Sequence, residues 1–405
     1  MVKKSTLLFF AFLLFIPLLS GCWDSLDIEK RANVLGIAID NIEQEESNEQ
    51  QSNITETEST SSTSEKEMIK LTAQIAVPGR VTLSPETGGG ESKSPVWVLS
   101  STGKTIDDAL LHLQQQIADE LFLGHLRIIV FNEEVAKAGV ERFNDYLRRQ
   151  PEIRRGAWMA VSREKASKYM KVAPELEPIP ALYLTSMVEN AVGIGKFPSD
   201  PIGIFWRNLS NKGQDAYLPC LKIMDNQNIQ IDGLSYFKKD AMIGAIDPIE
   251  IGLLMAVIGE GQGGYGAFIT IPDTKEEVIV YPTNRRSQIK TSINDGEPKI
   301  HVKVRYKGRI EENESEKVKL NDSDLIQKIE QQFSKRGKKS LEKLIKDMQK
   351  AESDIFGFGE YIRAKHPAYW QKEINTQENW HEVFKEMTIH VDLEMNINKT
   401  GMKAK

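Results

Sequence analysis

The first 22 residues constrain this chain more than any other stretch. Lys3 and Lys4 give a short positive start, and Leu7 to Leu19 is a 13-residue apolar run broken only by Pro17, followed by Ser20-Gly21-Cys22. A helix needs about 20 apolar residues to cross a bilayer core, so this run has the length and flanks of a signal-peptide core rather than of a span. Leu19-Ser20-Gly21-Cys22 looks like the bacterial lipobox, in which small residues precede an obligatory cysteine. The chemistry needs a thiol there, because the sulfur takes a diacylglycerol before cleavage between Gly21 and Cys22 leaves Cys22 first. Two acyl chains anchor stably where one binds reversibly. Cys22 is the expected lipid-attachment residue, and the remainder is expected to fold in water on the extracytoplasmic face of a membrane.

The composition agrees with such a body. With 405 residues, 40% apolar and 27% charged, the chain is long enough for two or three domains and is neither disordered overall nor a multi-pass membrane protein. A net charge of −6 gives no basic footprint, which argues against nucleic acid as a partner. Two cysteines support neither a disulfide framework nor a four-thiolate zinc site. With Cys22 lipidated, Cys220 is the only thiol left. It has no His or basic neighbour in Leu218-Pro219-Cys220-Leu221 to activate it, so it reads as a buried small hydrophobe. Residues 43–67 hold eight Glu, one Lys and a single apolar residue, Ile54. Such a segment cannot bury enough surface to order itself, so it reads as a disordered acidic loop within a hairpin.

Periodicity divides the rest into three differently patterned regions. Strands are predicted at 34–39, 69–77, 95–99, 126–131 and 156–161, with helices from Thr105 through Leu121, from Asn132 to Arg149 with a break at Gly139, and from Pro178 to Ala191. Residues 84–94 form a second flexible excursion. From Pro201 to Asp247 the period changes to 2, with strands at 216–223, 229–237 and 241–246; Asp247-Pro248 then opens a helix through Ile258, and a strand follows at 266–271. A third pattern begins near Tyr281-Pro282, with strands over 298–310, a long helix capped by Asn321, a helix at 355–365, and a last strand alternating from Met387 to Ile397. The expected architecture is α+β or mixed α/β: a signal peptide at 1–21, an N-terminal α/β domain at 22–200, a middle domain at 201–285 and a C-terminal α/β domain at 286–405, each a mixed or antiparallel sheet with packed helices.

No chemical motif survives its context. Gly259-Glu260-Gly261-Gln262-Gly263-Gly264 satisfies GxGxxG, but a dinucleotide turn follows a strand and opens a helix, and here the order is reversed. Thr102-Gly103-Lys104-Thr105 lies between a strand and a helix, yet Val98 stands where a phosphate loop needs its first glycine. His112, His125, His301, His366, His381 and His390 are scattered, and Lys385 occupies the second-ligand position of the pattern His381 begins. No nucleophile constellation, cofactor site or metal site emerges. Lys335-Arg336-Gly337-Lys338-Lys339 reads as a solvated face, with contact to anionic lipid headgroups as the minor alternative.

Several segments together resemble the Ger(x)C family, the lipoprotein C subunits of nutrient germinant receptors. They are Gly21-Cys22-Trp23-Asp24 with the strand from Leu35 to Asp40; Gly103-Lys104-Thr105-Ile106 leading into Gly124-His125-Leu126-Arg127; Arg149-Gln150-Pro151-Glu152-Ile153-Arg154; Gly233 to Asp240; and Asp354-Ile355-Phe356-Gly357-Phe358-Gly359-Glu360 with His366-Pro367, Trp370 and Asn379-Trp380. The resemblance implies three mixed α/β domains on the outer surface of the spore inner membrane. It also implies assembly with integral membrane A and B subunits, a role in spore germination, and no catalysis. An extracytoplasmic solute-binding lipoprotein of a transporter is the alternative, and a secreted enzyme is disfavoured. Residues 43–67 are longer and more acidic than that family leads one to expect.

Removing residues 1–21 leaves 50 basic against 58 acidic residues, and most of that imbalance sits in residues 43–67. Deleting this segment is expected to leave folding and lipidation intact. A variant that fails to fold, by circular dichroism, or that lacks the lipid mass on its Cys22 peptide, would show the segment to be structural.

Overall fold

Continuous apolar runs become strands buried on both faces. In the computed structural model, which describes residues 31–42, 68–80, 94–172, 176–224, 228–259, 261–271, 276–313 and 323–400, this rule builds the first sheet. Cys22, the acidic segment 43–67, Asn321 and all but the last residue of the 84–94 excursion lie outside the described residues.

In chain order the first part comprises β1 (Arg31–Asn41), β2 (Ile69–Ala76), β3 (Val96–Gly103), α1 (Ile106–Gln114), β4 (Glu120–Phe122), β5 (Ile128–Asn132), α2 (Glu133–Ala138), α3 (Glu141–Arg149), β6 (Trp158–Ser162), α4 (Ala166–Tyr169), α5 (Pro180–Gly193), α6 (Ile202–Ser210), β7 (Tyr217–Ile223), β8 (Ile229–Lys238) and β9 (Ala241–Ile246). The strands form one sheet in the order β3-β2-β1-β5-β6-β7-β8-β9, with β4 beside β1. Its centre, β1-β5-β6-β7, is parallel, and each flank is antiparallel. Helices on both faces explain why the central strands read as unbroken apolar runs. Ile129, Phe131 and Val161 pack with α1, α2, α3 and α6 on one face, while Ile128, Val130 and Ala160 pack with α4 and α5 on the other.

The sequence expectations differ from this at three places. The helix after Thr105 ends at Gln114, and Leu121 belongs to β4 rather than to that helix. Asp119 and Glu120 are exposed while β4 pairs with the start of β1, so pairing overrides the helical spacing of Ile117 and Leu121. Residues 202–210, expected within a strand-rich region, are α6; Ile202, Phe205 and Trp206 bury its face with the spacing of a helix. The change of period at Pro201 falls inside the first sheet, because β7 continues it alongside β6.

The second part comprises α7 (Pro248–Ile258), β10 (Gly261–Gln262), β11 (Ala267–Thr270), β12 (Glu277–Asn294), β13 (Glu297–Asn313), α8 (Ser323–Ala351), α9 (Phe358–Lys365), α10 (Gln377–Glu386) and β14 (Thr388–Thr400). Residue 285 lies within β12, which forms a long hairpin with β13, and β14 adds to β13 in parallel. Parallel pairing needs a crossover, and α8 to α10 supply it. The alternation from Met387 to Met395 is realised: Met387, Val391, Leu393 and Met395 are buried while Thr388, His390, Glu394 and Asn396 face out. α8 lies on this sheet through Phe333, Leu341, Leu344 and Met348. One continuous apolar cluster joins that face, α7, and the α5 face of the first sheet.

Local signals behave as their chemistry demands. Thr105 caps α1 by accepting from Asp108 N at 3.1 Å, and the Asp108 carboxylate accepts from Lys104 N at 2.9 Å. Asn132 caps α2, and Gly139 separates α2 from α3. Asp247 and Glu250 form a reciprocal capping box with Pro248 in the first turn of α7. Cys220 is free and fully buried on β7, and burial pushes its thiol up to about 11. The native protein should therefore resist alkylation at Cys220 at pH 8 and react after unfolding in urea. Labelling of the Cys220 peptide at equal rates in both states, read by mass spectrometry, would contradict this packing.

Candidate functional site

A buried polar cluster lies where the C-terminal helices meet the first sheet. Asp215, just ahead of β7, is fully buried and accepts from His381 Nε2 at 3.0 Å, from Asp354 N at 2.7 Å and from Gln377 Nε2 at 3.0 Å. Its own N–H donates to Asp354 O at 3.0 Å. Asp354 Oδ2 accepts from Gly359 N at 2.9 Å and from Trp380 Nε1 at 3.1 Å. Around this core, Gly213 and Glu360 exchange two bonds: Glu360 N donates to Gly213 O at 3.0 Å, and Glu360 Oε1 accepts from Gly213 N at 3.1 Å. Ser353 Oγ donates to Phe237 O at 2.7 Å, tying the segment to β8.

Backbones touch here. A Cβ on Gly213 would stand 2.5 Å from Gly359 C, and one on Gly359 would stand 2.6 Å from Gly213 Cα. The two glycines are required by close approach, and only then does Asp215 reach α10. Gly357 begins α9 at φ 74°, a conformation that costs a side-chain-bearing residue. Apolar walls exclude water: Phe356 stacks on Phe358 at 5.1 Å, and Trp380 sits between Trp370 at 5.7 Å and Phe384 at 5.9 Å. At the rim Glu352 is held down to about 2 by Lys238 and Lys385, its two ion-pair partners.

Burial pushes Asp354 up to about 7, with the Asp215 charge adding to the rise and the Gly359, Phe358 and Trp380 donors opposing it. Asp354 Oδ1 has no hydrogen-bond partner among the described residues. A carboxylate and an imidazole in contact are components of general acid–base chemistry. Here, however, Asp215 and Asp354 are sealed and His381 is 2% exposed. The cluster fastens the C-terminal helices to the first sheet.

His381, read from sequence as an ordinary core or surface histidine, is this buried partner. His112 Nδ1 lies 2.7 Å from Thr102 O, His125 packs edge-on against Phe122, His301 pairs with Asp392 at 2.8 Å, and His366 Nε2 lies 3.0 Å from Thr291 Oγ1. Among the described residues no three His, Cys, Asp or Glu gather around a common metal position. Gly259 caps the end of α7 and β10 follows, the reverse of the strand-to-helix order a dinucleotide turn needs. Beneath it, buried Arg285 donates to Gly195 O and Gly263 O. The cluster at 335–339 lies mid-way along α8, where Lys338 meets Glu342 and Asp392, and Arg336 donates to Phe268 O at 3.0 Å. Beside it an apolar groove of about 470 Å³ runs between α7, β11 and α8, with Ile249 and Phe268 exposed at its rim.

Comparison with known proteins fits this architecture. Residues 24–223 match the family described as "Spore germination protein N-terminal domain", and residues 232–401 match "Spore germination B3/GerAC like, C-terminal". The chain belongs to this family of Ger(x)C spore germination proteins, the germinant receptor C-subunit family. "Spore germination protein KC" of Bacillus subtilis (strain 168) is 25% identical over 435 residues, covering 100% of this chain and 97% of the relative. "Spore germination protein GerQC" of Bacillus cereus is 24% identical over 330 residues, covering 82% and 89%. The crystal structure of the GerBC protein superposes with a TM-score of 0.51 at 18% identity, over 82% of this chain and 94% of that one, which establishes the shared fold.

Asp354, raised above its ordinary value, favours the folded state while protonated. That contribution is complete below the usual carboxylate range near ~4 and is lost as pH rises through about 7. Asp354→Asn keeps the shape and cannot ionise. Denaturant titrations from pH 5 to pH 7.5 should therefore show a stability decline in the parent that is flattened in this variant. Equal slopes in the two proteins would refute the assignment.

Proposed function

We propose that the chain is a lipid-anchored, non-catalytic subunit of a nutrient germinant receptor. Diacylglycerol on Cys22 holds it on the outer surface of the spore inner membrane, where it assembles with integral membrane A and B subunits. The observation that carries this reading is coverage: the two family matches run in order over residues 24–223 and 232–401, beginning two residues after Cys22. No described helix is long and apolar enough to cross a membrane, which accords with attachment through Cys22. The absence of catalysis is supported by the sealing of the Asp215, His381 and Asp354 cluster.

A solute-binding lipoprotein remains the competing reading, and the groove beside α8 is the observation that favours it. Crosslinking separates the two. Recovery of polytopic membrane subunits supports the receptor, and recovery of a transporter permease supports the alternative. A deletion strain should form spores normally, yet those spores should fail to germinate in particular nutrients; spores germinating as wild type would overturn the proposal. The anchor has its own check, a diacylglyceryl mass on the Cys22 peptide of membrane-extracted protein.

A further inference from the structure

A cationic cleft of about 500 Å³ lies between α3, the turn ahead of β6, and α6, lined by Arg148, Gln150, Arg155, Trp206, Arg207 and Ser210 among others. No carboxylate among the described residues lines it. α6 is docked on that turn, with Ile202 N donating to Ala157 O at 2.8 Å and Gly203 N to Arg155 O at 3.0 Å. Helical spacing then turns Gly203, Trp206, Arg207 and Ser210 to one side. Arg148 and Arg155 are exposed and have no carboxylate partner among the described residues, while Arg207 donates only to the neutral Asn208 Oδ1, at 3.3 Å from Nη2. Of the nearby acids, Glu152 accepts from Leu123 N at 2.8 Å and Asp145 pairs with Arg149, while Asp200, within electrostatic reach of Arg207, is fully buried behind the cleft, and burial pushes its carboxyl well up, toward the neutral form. Trp206, 8% exposed, has an indole N–H with no acceptor among the described residues. Arginines without an ion-pair partner among the described residues, around a polar concavity, suit a phosphate group, which their planar forks bind through paired hydrogen bonds.

The sheet register says where this cleft points. β1, β5 and β6 are parallel, with Gly36 level with Ile128 and Ile128 level with Trp158. The chain ahead of Trp158, including Arg155, therefore lies at the same end of the sheet as Arg31, where the chain enters β1. Exposed Arg127 and Arg154 add charge at this end; Asp119 and Glu120, on or beside β4 next to Arg31, and Glu152, bonded to Leu123 N, do not line the cleft. Nine residues lead from Cys22 to Arg31, a reach of at most about 30 Å. The end carrying the arginines is thus the end held near the bilayer, if Cys22 is lipidated as proposed above.

We propose that the Arg148, Arg155 and Arg207 cleft binds the phosphate headgroups of anionic lipids in the membrane that holds the anchor, fixing how the body sits on that surface. A basic side chain near an anionic surface contributes about 1 kcal/mol, so three of them correspond to roughly a 100-fold change in partitioning.

The test uses the mature chain, residues 22–405, made without its signal peptide so that Cys22 carries no lipid; this chain contains every described residue. Because no acyl chain is present, the result reads the arginines alone, and the mass of the Cys22 peptide reads the anchor separately. Co-sedimentation with phosphatidylcholine vesicles containing phosphatidylglycerol should exceed that with pure phosphatidylcholine. The triple variant R148E/R155E/R207E should lose this binding by roughly 100-fold. The double variant R148E/R155E, which leaves α6 untouched, should lose most of it. K335E/K339E/K346E on α8 changes net charge equally and should bind as the parent does. Equal binding to both vesicles, or equal loss in the α8 variant, would overturn the proposal. So would saturable binding of inorganic phosphate at the cleft without preference for anionic vesicles, which would make a free phosphate the ligand.

Discussion

Two glycine backbones in contact, Gly213 against Gly359, set the terms for the rest of this molecule. Their approach brings the buried Asp215 within reach of His381 and Asp354, and so joins the first sheet to the helices that cross over the second. A buried carboxylate–imidazole contact adds little net stability, because desolvation offsets the attraction. What it imposes is a seating. A slip between the two parts would strand a buried carboxylate, at a cost of about 3–5 kcal/mol. The apolar cluster running from α5 through α7 to α8 supplies the bulk of the cohesion but tolerates small shifts; the Asp215 contacts do not.

The same contact explains why the two matched family segments do not coincide with physical units. The first ends at residue 223, the end of β7, and the second begins at residue 232, within β8. Yet β7, β8 and β9 are consecutive strands of one sheet. The later segment thus completes the earlier one's sheet before starting its own, and Ser353 reaches back to Phe237 of that borrowed hairpin. Each part carries groups the other needs.

Much of this was legible in the sequence where the cause was local. Thr105, Asn132, Gly139 and Asp247 mark helix ends through short-range hydrogen bonds, and β14 alternates because one face meets α8. Reading failed where a distant partner decided. Leu121 has helical spacing from Leu113, but pairing with β1 claims it. The residues of α6 sit amid strands and show their period only once the face they bury is known. His381 and Asp215 are 166 positions apart, so nothing near either one announces the pair. Asp354 to Glu360, by contrast, stood out as a motif, and its dense glycines and aromatics prove to be the residues that close approach and water exclusion require.

The parallel pairing of β14 with β13 carries a kinetic consequence. A hairpin such as β12–β13 can zip from its turn, whereas pairing β13 with β14 must close the long connection that holds α8, α9 and α10. Loop closure of that length is slow, and it leaves one edge of β13 open in the meantime. Until that pairing forms, the edge is open to pairing with other chains. The outward face of β14, with Asp392, Glu394 and Asn396, and the lysines and arginine of β13 that meet them, place charge along this late-closing ladder and discourage such mispairing.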